Sequence, residues 1–561
     1  MVGAGLRRKL SFLFLETLRF VSESVKKNRR LRKARSLHCK SVNSCFLGNH
    51  FEACHSERSQ PTGCPQFAAT RRRNGFAEFK GLTRRVAAEH SEESQHFHPT
   101  GKYRDSSLGR LGDLAQNDSS FGCGWKAALR YPAAVFVLSA LLGYDAVAAA
   151  QQTDSSSLLS TADSVLAQMS RVTGLPIKGP LNKKVITRAE INGLLQQKLH
   201  NDFTPKELEA EEASLKAFGL VPADFNLEKF LLAFYTEQAA GFYDPERKTM
   251  FIADWVKPEM QKMVLAHELT HALQDQNFDL QKFLRAVKDN DDRTAARLAV
   301  VEGYATAAML QVLAAPMSLA DMPSLEALMA IAIHQDPKEF PVFARAPFYL
   351  RYEALFPYSQ GVGLMQAGLK RGGWKTLNAL FTRPPQTTEQ VFKPPECYAG
   401  QSAPSLSLAA PRGLSHHAHL VQLSENAMGE LGYYAWLAQL TSEDEAKAVA
   451  PAWAGDRYIV YKGPEPGREA LVAATRWANA KAAAAFFADT RQILTKRYPA
   501  MTLQPHPSPE RLLGSTTTGE VVLLDKGSDC LWAVGVPAGK GEKLLEDFPR
   551  LVGPAPARVR P

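Results

Sequence analysis

Cysteine is scarce in most of this sequence, and its distribution divides the chain in two. Of the seven cysteines in 561 residues, only Cys397 and Cys530 lie beyond residue 126. The five earlier cysteines lack the paired spacing of a zinc knuckle or ribbon, so they indicate no metal site. The larger part of the chain therefore has at most one disulfide, which suits an exported protein.

An excess of charge of one sign is also lacking beyond residue 126. The first 126 residues hold 23 Lys and Arg against 11 Asp and Glu, and the remaining residues hold 44 against 46. The net charge of +10 therefore belongs to the leader. We interpret residues 1–125 as a basic upstream extension that is non-native or disordered. A nucleic-acid-binding arm is the alternative, but basic runs without a fold or an aromatic platform give it little support.

A hydrophobic run long enough to span a bilayer comfortably is missing from the segment that follows the leader. The apolar run at residues 131–142 is too short, but positive residues precede it and an Ala-x-Ala sequence follows it, as in a secretory signal peptide. We interpret residues 126–150 as such a segment, which contacts the membrane transiently. We therefore expect a secreted or periplasmic chain that starts at Gln151. A membrane anchor or a buried helix formed by residues 130–150 is the alternative.

Residues 264–273 contain an HExxH motif within an apolar, helix-forming run. Residues four apart share one face of a helix, so His267 and His271 can present both imidazoles to one metal ion, with Glu268 on the adjoining edge. Zinc held by two neutral histidines and one more protein ligand keeps a position for water, which a nearby carboxylate can deprotonate. We predict a Zn²⁺ site with His267 and His271 as ligands and Glu268 as general base. A chance match to the motif is the alternative.

A second predicted helix follows and is almost wholly apolar; Asp291 or Asp292 is its predicted N-cap. A carboxylate in the middle of such a helix is costly unless it is paired or bound to a metal. We therefore predict that Glu302 is the third zinc ligand. A buried salt bridge to an arginine such as Arg297 is the alternative. Thr306, one turn further on, can reach a ligand imidazole and orient it.

The two motifs together resemble the gluzincin class of zinc metallopeptidases, in which two histidines and a glutamate on a following helix hold the zinc. The resemblance rests on His267, Glu268, His271 and the Glu-Gly-Tyr-Ala segment that begins at Glu302, and it covers roughly residues 237–398. In thermolysin and the aminopeptidases of this class the glutamate lies closer to the second histidine. The resemblance is therefore to the class and not to one family.

The resemblance implies a role for two further segments. The segment from Tyr358 to Gly361 is similar to the Tyr-x-x-Gly segment of gluzincin aminopeptidases, whose tyrosine hydrogen-bonds the oxyanion. A phenol suits that task because it donates at neutral pH without adding charge; a plain aromatic at a helix start is the alternative. The pattern of residues 241–253 predicts two strands joined by an Asp-Pro turn. This hairpin can provide the edge strand along which gluzincins bind peptide, or it can contribute to packing alone.

The predicted fold class is α+β. It comprises a mainly helical, zincin-like peptidase domain at 151–400, with the small β-hairpin, a Ser/Ala/Pro-rich linker at 401–415 and a smaller α+β domain at 416–561. The second domain has no catalytic signature, and its three histidines at 416, 417 and 419 are read as a solvated loop rather than a metal site. Outside the two motif helices, the pattern predicts helices at 156–170, 205–218, 226–239, 325–334, 343–355, 359–370, 374–381, 425–439 and 479–496, and C-terminal strands at 456–461, 470–476, 520–524 and 530–536.

The sequence thus predicts a zinc metallopeptidase that hydrolyses a peptide or protein substrate and has no nucleic-acid partner. Water on the metal, deprotonated by Glu268, would attack the scissile carbonyl, and Tyr358 would stabilise the resulting oxyanion. The alternative is a catalytically inactive cell-envelope or binding protein that keeps a peptidase fold. The intact Glu268 argues against that alternative, since a protein without activity has no chemical need for its base.

Overall fold

The fold is described from a computed structural model of the chain. The described residues are 155–256, 258–287, 290–332, 337–338, 340–401, 414, 420–463, 465 and 467–551. The predicted upstream extension, the signal-like segment, the predicted start at Gln151 and the three histidines at 416, 417 and 419 lie outside these residues. Within the described ranges, no helix has both the length and the apolar character needed to cross a membrane.

The first part of the described chain is mostly helical. Its helices are α1 (Ser155–Thr173), α2 (Arg188–Asp202), α3 (Pro205–Phe218), α4 (Leu227–Gln238), α5 (Pro258–Phe278), α6 (Leu280–Arg285), α7 (Asp291–Ala314), α8 (Leu325–Ala332), α9 (Pro341–Arg345), α10 (Phe348–Ala379), α11 (Thr388–Phe392) and α12 (Pro394–Ala399). Thr204 caps α3 in a capping box with Pro205 at the first helical position, and the helix has the predicted bounds of 205–218.

A three-stranded sheet lies beside these helices. Its strands are β1 (Asn182–Ile186), β2 (Gly241–Asp244) and β3 (Thr249–Ala253), in the order β1-β3-β2. The predicted hairpin is therefore present, with β2 antiparallel to β3 and at the edge of the sheet. The parallel partner β1 was not predicted, because its pairing with β3 joins segments far apart in the sequence.

Helix α10 differs from its prediction. Two helices were predicted on either side of Pro357, but one helix runs from Phe348 through Pro357, and its non-helical residues are Gly372 and Gly373. A proline inside a helix costs about 3 kcal/mol. Here Phe356 and Tyr358 are buried on either side of it. We attribute the continuity of the helix to this burial, which outweighs the local preference for a break.

Helices α7 and α10 are in main-chain contact at two glycines. A Cβ added to Gly303 would lie 2.4 Å from the carbonyl carbon of Gly361, and one added to Gly361 would lie 2.5 Å from the main-chain oxygen of Ala299. Main-chain atoms cannot rotate away as a side chain can. Glycine is therefore required at both positions, one of which adjoins Glu302, while the other lies one turn after Tyr358.

Replacing Gly361 by alanine should destabilise the protein. The helix-propensity gain of about 1 kcal/mol is opposed by the main-chain clash, and we expect a net loss of about 1–3 kcal/mol in the free energy of unfolding, measured by urea denaturation. The control is Gly363→Ala on the same helix, where the added Cβ would meet only the Glu326 side chain at 3.4 Å and beyond. The control should be neutral or slightly stabilising. Equal stability of the two variants would contradict the assigned packing.

The C-terminal part of the described chain is built on an antiparallel sheet. Its seven strands lie in the order β4-β5-β6-β10-β9-β8-β7. The elements are β4 (Val421–Asn426), α13 (Gly429–Leu440), α14 (Glu443–Val449), β5 (Trp453–Lys462), β6 (Glu469–Trp477), α15 (Ala480–Arg497), β7 (Thr502–Leu503), β8 (Arg511–Thr516), β9 (Gly519–Lys526), β10 (Asp529–Val536) and α16 (Gly541–Leu551). The predicted helix from 425 starts only at Gly429, because residues 421–426 pair with β5.

The two parts of the chain pack directly against each other. Asn426 Oδ1 accepts a hydrogen bond of 2.8 Å from the main-chain N–H of Asp291, at the start of α7. Trp436 Nε1 donates to the main-chain oxygen of Phe218 at 3.0 Å. All described residues fall within one compact unit. The linker at 401–415 stays a prediction, since most of it lies outside the described ranges. Cys397 and Cys530 are both free thiols, so they do not form the disulfide that the sequence allows.

Candidate metal centre

Helix α5 carries the two histidines and the glutamate of the HExxH motif. Its ten residues from 264 to 273 are all buried, so the helix crosses the core and not the surface. His267 and His271 lie one turn apart, with their ring centroids 4.7 Å from each other. The α5 helix packs against α7, which carries Glu302. His267 is 1% exposed, and Glu268, His271 and Glu302 are 0% exposed.

Three potential ligand atoms converge between α5 and α7. The Nε2 atoms of His267 and His271 lie 3.0 Å apart, and Glu302 Oε2 lies 3.1 Å from the first and 3.3 Å from the second. Atoms about 2.1 Å from a tetrahedral ion are about 3.4 Å apart. The donor set of two imidazoles and one carboxylate, at this spacing, fits a divalent metal ion such as zinc.

The alternative role for Glu302, a buried salt bridge to Arg297, is not what the structure shows. Arg297 donates instead to the main-chain oxygen of Phe283, and its guanidinium lies over the Phe283 ring, 4.9 Å from the ring centroid. The ion pairs of Glu302 are with His267 and His271. The carboxylate is therefore directed at the two histidines, as the sequence predicts for a third ligand.

Glu268 lies next to the two histidines and Glu302. One of its carboxylate oxygens lies within 4.8 Å of a ring nitrogen of each histidine. Its Oε2 accepts a hydrogen bond of 2.8 Å from the main-chain N–H of Tyr243. Its Oε1 is buried and has no hydrogen-bond partner among the described residues. This arrangement suits a base that acts on a neighbouring group.

The electrostatics of the site follow from its burial. Burial raises the pKa of Glu268 to about 8. Burial alone would lower the pKa of His271 and raise that of Glu302, but their mutual attraction outweighs it, so the pKa of His271 rises to about 9 and that of Glu302 falls. Burial lowers the pKa of His267. Glu302 is therefore ionised and needs a positive partner, which a divalent cation provides more fully than one histidine proton.

Gln274, which the sequence did not single out, orients the candidate ligand His271. His271 Nδ1 donates to Gln274 Oε1 at 2.9 Å, and Gln274 Nε2 donates to the main-chain oxygen of Val301 at 2.9 Å. Such a bond fixes the tautomer and leaves Nε2 free to bind metal. The spacing of three residues on one helix was the available signal. The bond predicted from Thr306 is absent, since Thr306 Oγ1 and His267 Nδ1 have no partner in the part of the chain that the structure describes.

Tyr358 contributes a ring to the same centre. It lies in the interior of α10, so it is not an aromatic at a helix start. Its ring stacks on that of His267, with the centroids 6.1 Å apart and the planes at 25°. The side chain is 2% exposed. The structure therefore brings together all five residues that the sequence singled out for metal binding and catalysis, while the oxyanion role of Tyr358 stays a prediction.

Comparison with known families indicates a metallopeptidase-like region at a coarse level. Residues 224–311 match the model of a peptidase family, M78, described as the IrrE N-terminal-like domain. This match spans both HExxH and Glu302, and peptidases of this family are typically metal-dependent. The region is therefore metallopeptidase-like. Residues 419–537 match a family described as a domain of unknown function (DUF8575). No curated protein and no solved structure gives a significant match to the chain.

Proposed function

We propose that this chain is a zinc-dependent peptidase of gluzincin type that hydrolyses peptide bonds. The observation that carries the proposal is the convergence of His267 Nε2, His271 Nε2 and Glu302 Oε2 within 3.0–3.3 Å of one another, beside the unpartnered Oε1 of Glu268. A buried cluster of this composition is costly to fold without a cation. The family match over the same residues points to the same class.

His267, His271 and Glu302 would hold the metal. Two imidazoles and a carboxylate with one open position are the ligand set of catalytic zinc. Bound there, zinc would supply Lewis acidity, which polarises a carbonyl and makes water a nucleophile near neutral pH. Gln274 would hold His271 in the tautomer that presents Nε2 to the metal.

Glu268 and Tyr358 would carry the proton transfer and the charge stabilisation. Glu268 Oε1, which is free of other bonds among the described residues, would accept the proton of the attacking water and return it to the leaving amine. The Tyr358 hydroxyl would donate to the oxyanion as a neutral donor. These side chains are at most 2% exposed, so a peptide would need the surrounding structure to open before it could reach them.

The catalytically inactive alternative leaves Glu268 unexplained. A metal site that only binds or stabilises needs His267, His271 and Glu302, but it has no use for a buried carboxylate beside them. Retaining such a carboxylate at 0% exposure costs free energy, which a catalytic role would justify. The enzymatic function is therefore the one we propose.

Digestion of a peptide library by the purified protein tests the function. We expect discrete cleavage products that disappear when a chelator removes the metal and return when about one equivalent of zinc is added back, because three protein ligands define one site. Mass spectrometry of the products would also reveal the cleavage preference. Cleavage that persists after the metal has been stripped would contradict the proposal.

We also propose that the protein is exported and that residues 126–150 are removed. The charge excess and five of the seven cysteines lie before this segment, which has the order of a signal peptide. N-terminal sequencing of protein from native cells should find a start near Gln151. A native protein that retains residues before Ala127 would contradict the proposal.

A further inference from the structure

The main chain of Tyr243 holds one oxygen of Glu268. Tyr243 lies on the edge strand β2, and its N–H donates to Glu268 Oε2 at 2.8 Å. The hydrogen bond fixes the rotation of the carboxylate, and it leaves Oε1 without a partner within the described ranges. The position of the general base is thus tied to the position of β2.

The side chain of the same residue ties β2 to the helix that carries Glu268. Tyr243 Oη donates to Asp275 Oδ2 at 2.7 Å. Asp275 lies seven residues after Glu268 on α5, which places it about two turns along the same face. Tyr243 therefore spans two points of α5, with its main chain at Glu268 and its hydroxyl at Asp275.

Asp275 is itself fixed by further bonds. Its Oδ2 accepts from Lys248 Nζ at 2.6 Å, and its Oδ1 accepts from the main-chain N–H of Leu280 at 3.0 Å. The carboxylate side chain is 0% exposed, whereas that of Lys248 is 58% exposed. Lys248 belongs to the turn between β2 and β3, so this turn is attached to α5 as well as Tyr243 within β2. Three donors on one buried carboxylate make a rigid anchor.

We propose that Tyr243 and Asp275 are positioning residues for the general base, a role that rests on the proposed function. They act through the main chain of β2, which orients Glu268 so that Oε1 faces the reacting groups. A base displaced by about 1 Å can lose about 10²-fold in rate. The Asp275 network, which we define as Asp275, Tyr243 and Lys248, thus acts on turnover and not on metal binding.

Tyr243→Phe tests the role because it removes the hydroxyl and leaves the main chain in place. We expect kcat to fall by at least about 10-fold, with KM and zinc content unchanged. The matched control is Tyr398→Phe, which removes a hydroxyl bond of 3.0 Å to the main-chain oxygen of Leu364. The control should keep the wild-type kcat. If Tyr243→Phe fails to fold, Lys248→Met weakens the same network from an exposed position and should lower kcat in the same way.

Repeating Tyr243→Phe in a Glu268→Asp variant distinguishes a positioning role from a general destabilisation of the fold. In Glu268→Asp the side chain is one methylene shorter, which draws the carboxylate away from the Tyr243 N–H. The Asp275 network then no longer holds the carboxylate in its wild-type orientation. Adding Tyr243→Phe should then lower kcat by less than about 3-fold. An equal factor in both backgrounds would overturn the proposal, as would a wild-type kcat in Tyr243→Phe or Lys248→Met.

Amide exchange reports on the contact without any substrate. The Tyr243 N–H should be protected in the wild type and should exchange faster in Glu268→Ala, which removes its acceptor. Unchanged exchange would overturn the inference and leave the proposed function standing. A metal-loaded wild type that cleaves no peptide would refute the proposed function, and the positioning role would fall with it.

Discussion

Glu268→Gln should lower the turnover of any peptide substrate by about 10² to 10⁴-fold, the usual cost of losing general-base catalysis. Glutamine has almost the same shape, and its amide oxygen can still accept from the Tyr243 N–H. The three ligand atoms on His267, His271 and Glu302 are untouched, so zinc content and melting temperature should change little. Turnover, metal content and thermal unfolding measured on the same preparation check this expectation.

The control for Glu268→Gln is another buried glutamate. Glu430 on α13 is 4% exposed, and burial raises its pKa to about 8, as at Glu268. Glu430→Gln makes the same substitution at a similarly buried glutamate, and we expect it to leave turnover unchanged. Equal activity in the wild type and Glu268→Gln would mean that a contaminant or another site acts, and the binding-protein alternative would then be favoured.

Substitution of the ligand residues should have the second large effect, on metal affinity. His267→Ala, His271→Ala and Glu302→Ala should each weaken zinc binding by more than about 100-fold, because even residues that only orient a ligand cost about 10- to 100-fold. Competition with a chromophoric chelator measures the change. Turnover at limiting zinc should fall in parallel.

Thr306→Val is the matched control on the same helix. Thr306 is buried one turn beyond Glu302, and its Oγ1 makes no hydrogen bond to any described residue. Valine keeps the shape and removes the unpaired hydroxyl, so zinc affinity should be retained. Wild-type affinity in Glu302→Ala would remove Glu302 from the site, and a loss in Thr306→Val would restore the orienting role first predicted for it.

The candidate site could be predicted largely from local rules. The spacing of His267 and His271 on one helix dictates a shared face. Glu302 lies 31 residues after His271 and could be predicted because a lone carboxylate in an apolar helix is costly without a partner. Gln274 lies three residues after His271 on the same helix, so the same spacing rule could also have predicted its contact with His271. The contact between Tyr243 and Glu268 was beyond such rules, because the donor is a main-chain N–H and carries no sequence signal.

The fold could be predicted less fully, for physical reasons. The hairpin of β2 and β3 is local and was predicted, whereas the pairing of β1 with β3 depends on segments far apart in the chain. Local preference predicted a break at Pro357 that burial within the core overrides. The start of α13 was misplaced because β4 obtains its hydrogen bonds from β5, a partner that no local pattern reveals.

Anomalous diffraction from zinc-loaded crystals would show directly whether His267, His271 and Glu302 bind a metal ion. Data collected on either side of the zinc absorption edge locate the metal without reference to any assumed role of the side chains. We expect a single strong peak, bonded to His267 Nε2, His271 Nε2 and one oxygen of Glu302, with Glu268 adjacent and not bonded. A peak at another place, or a centre bonded to Glu268 in place of Glu302, would contradict it.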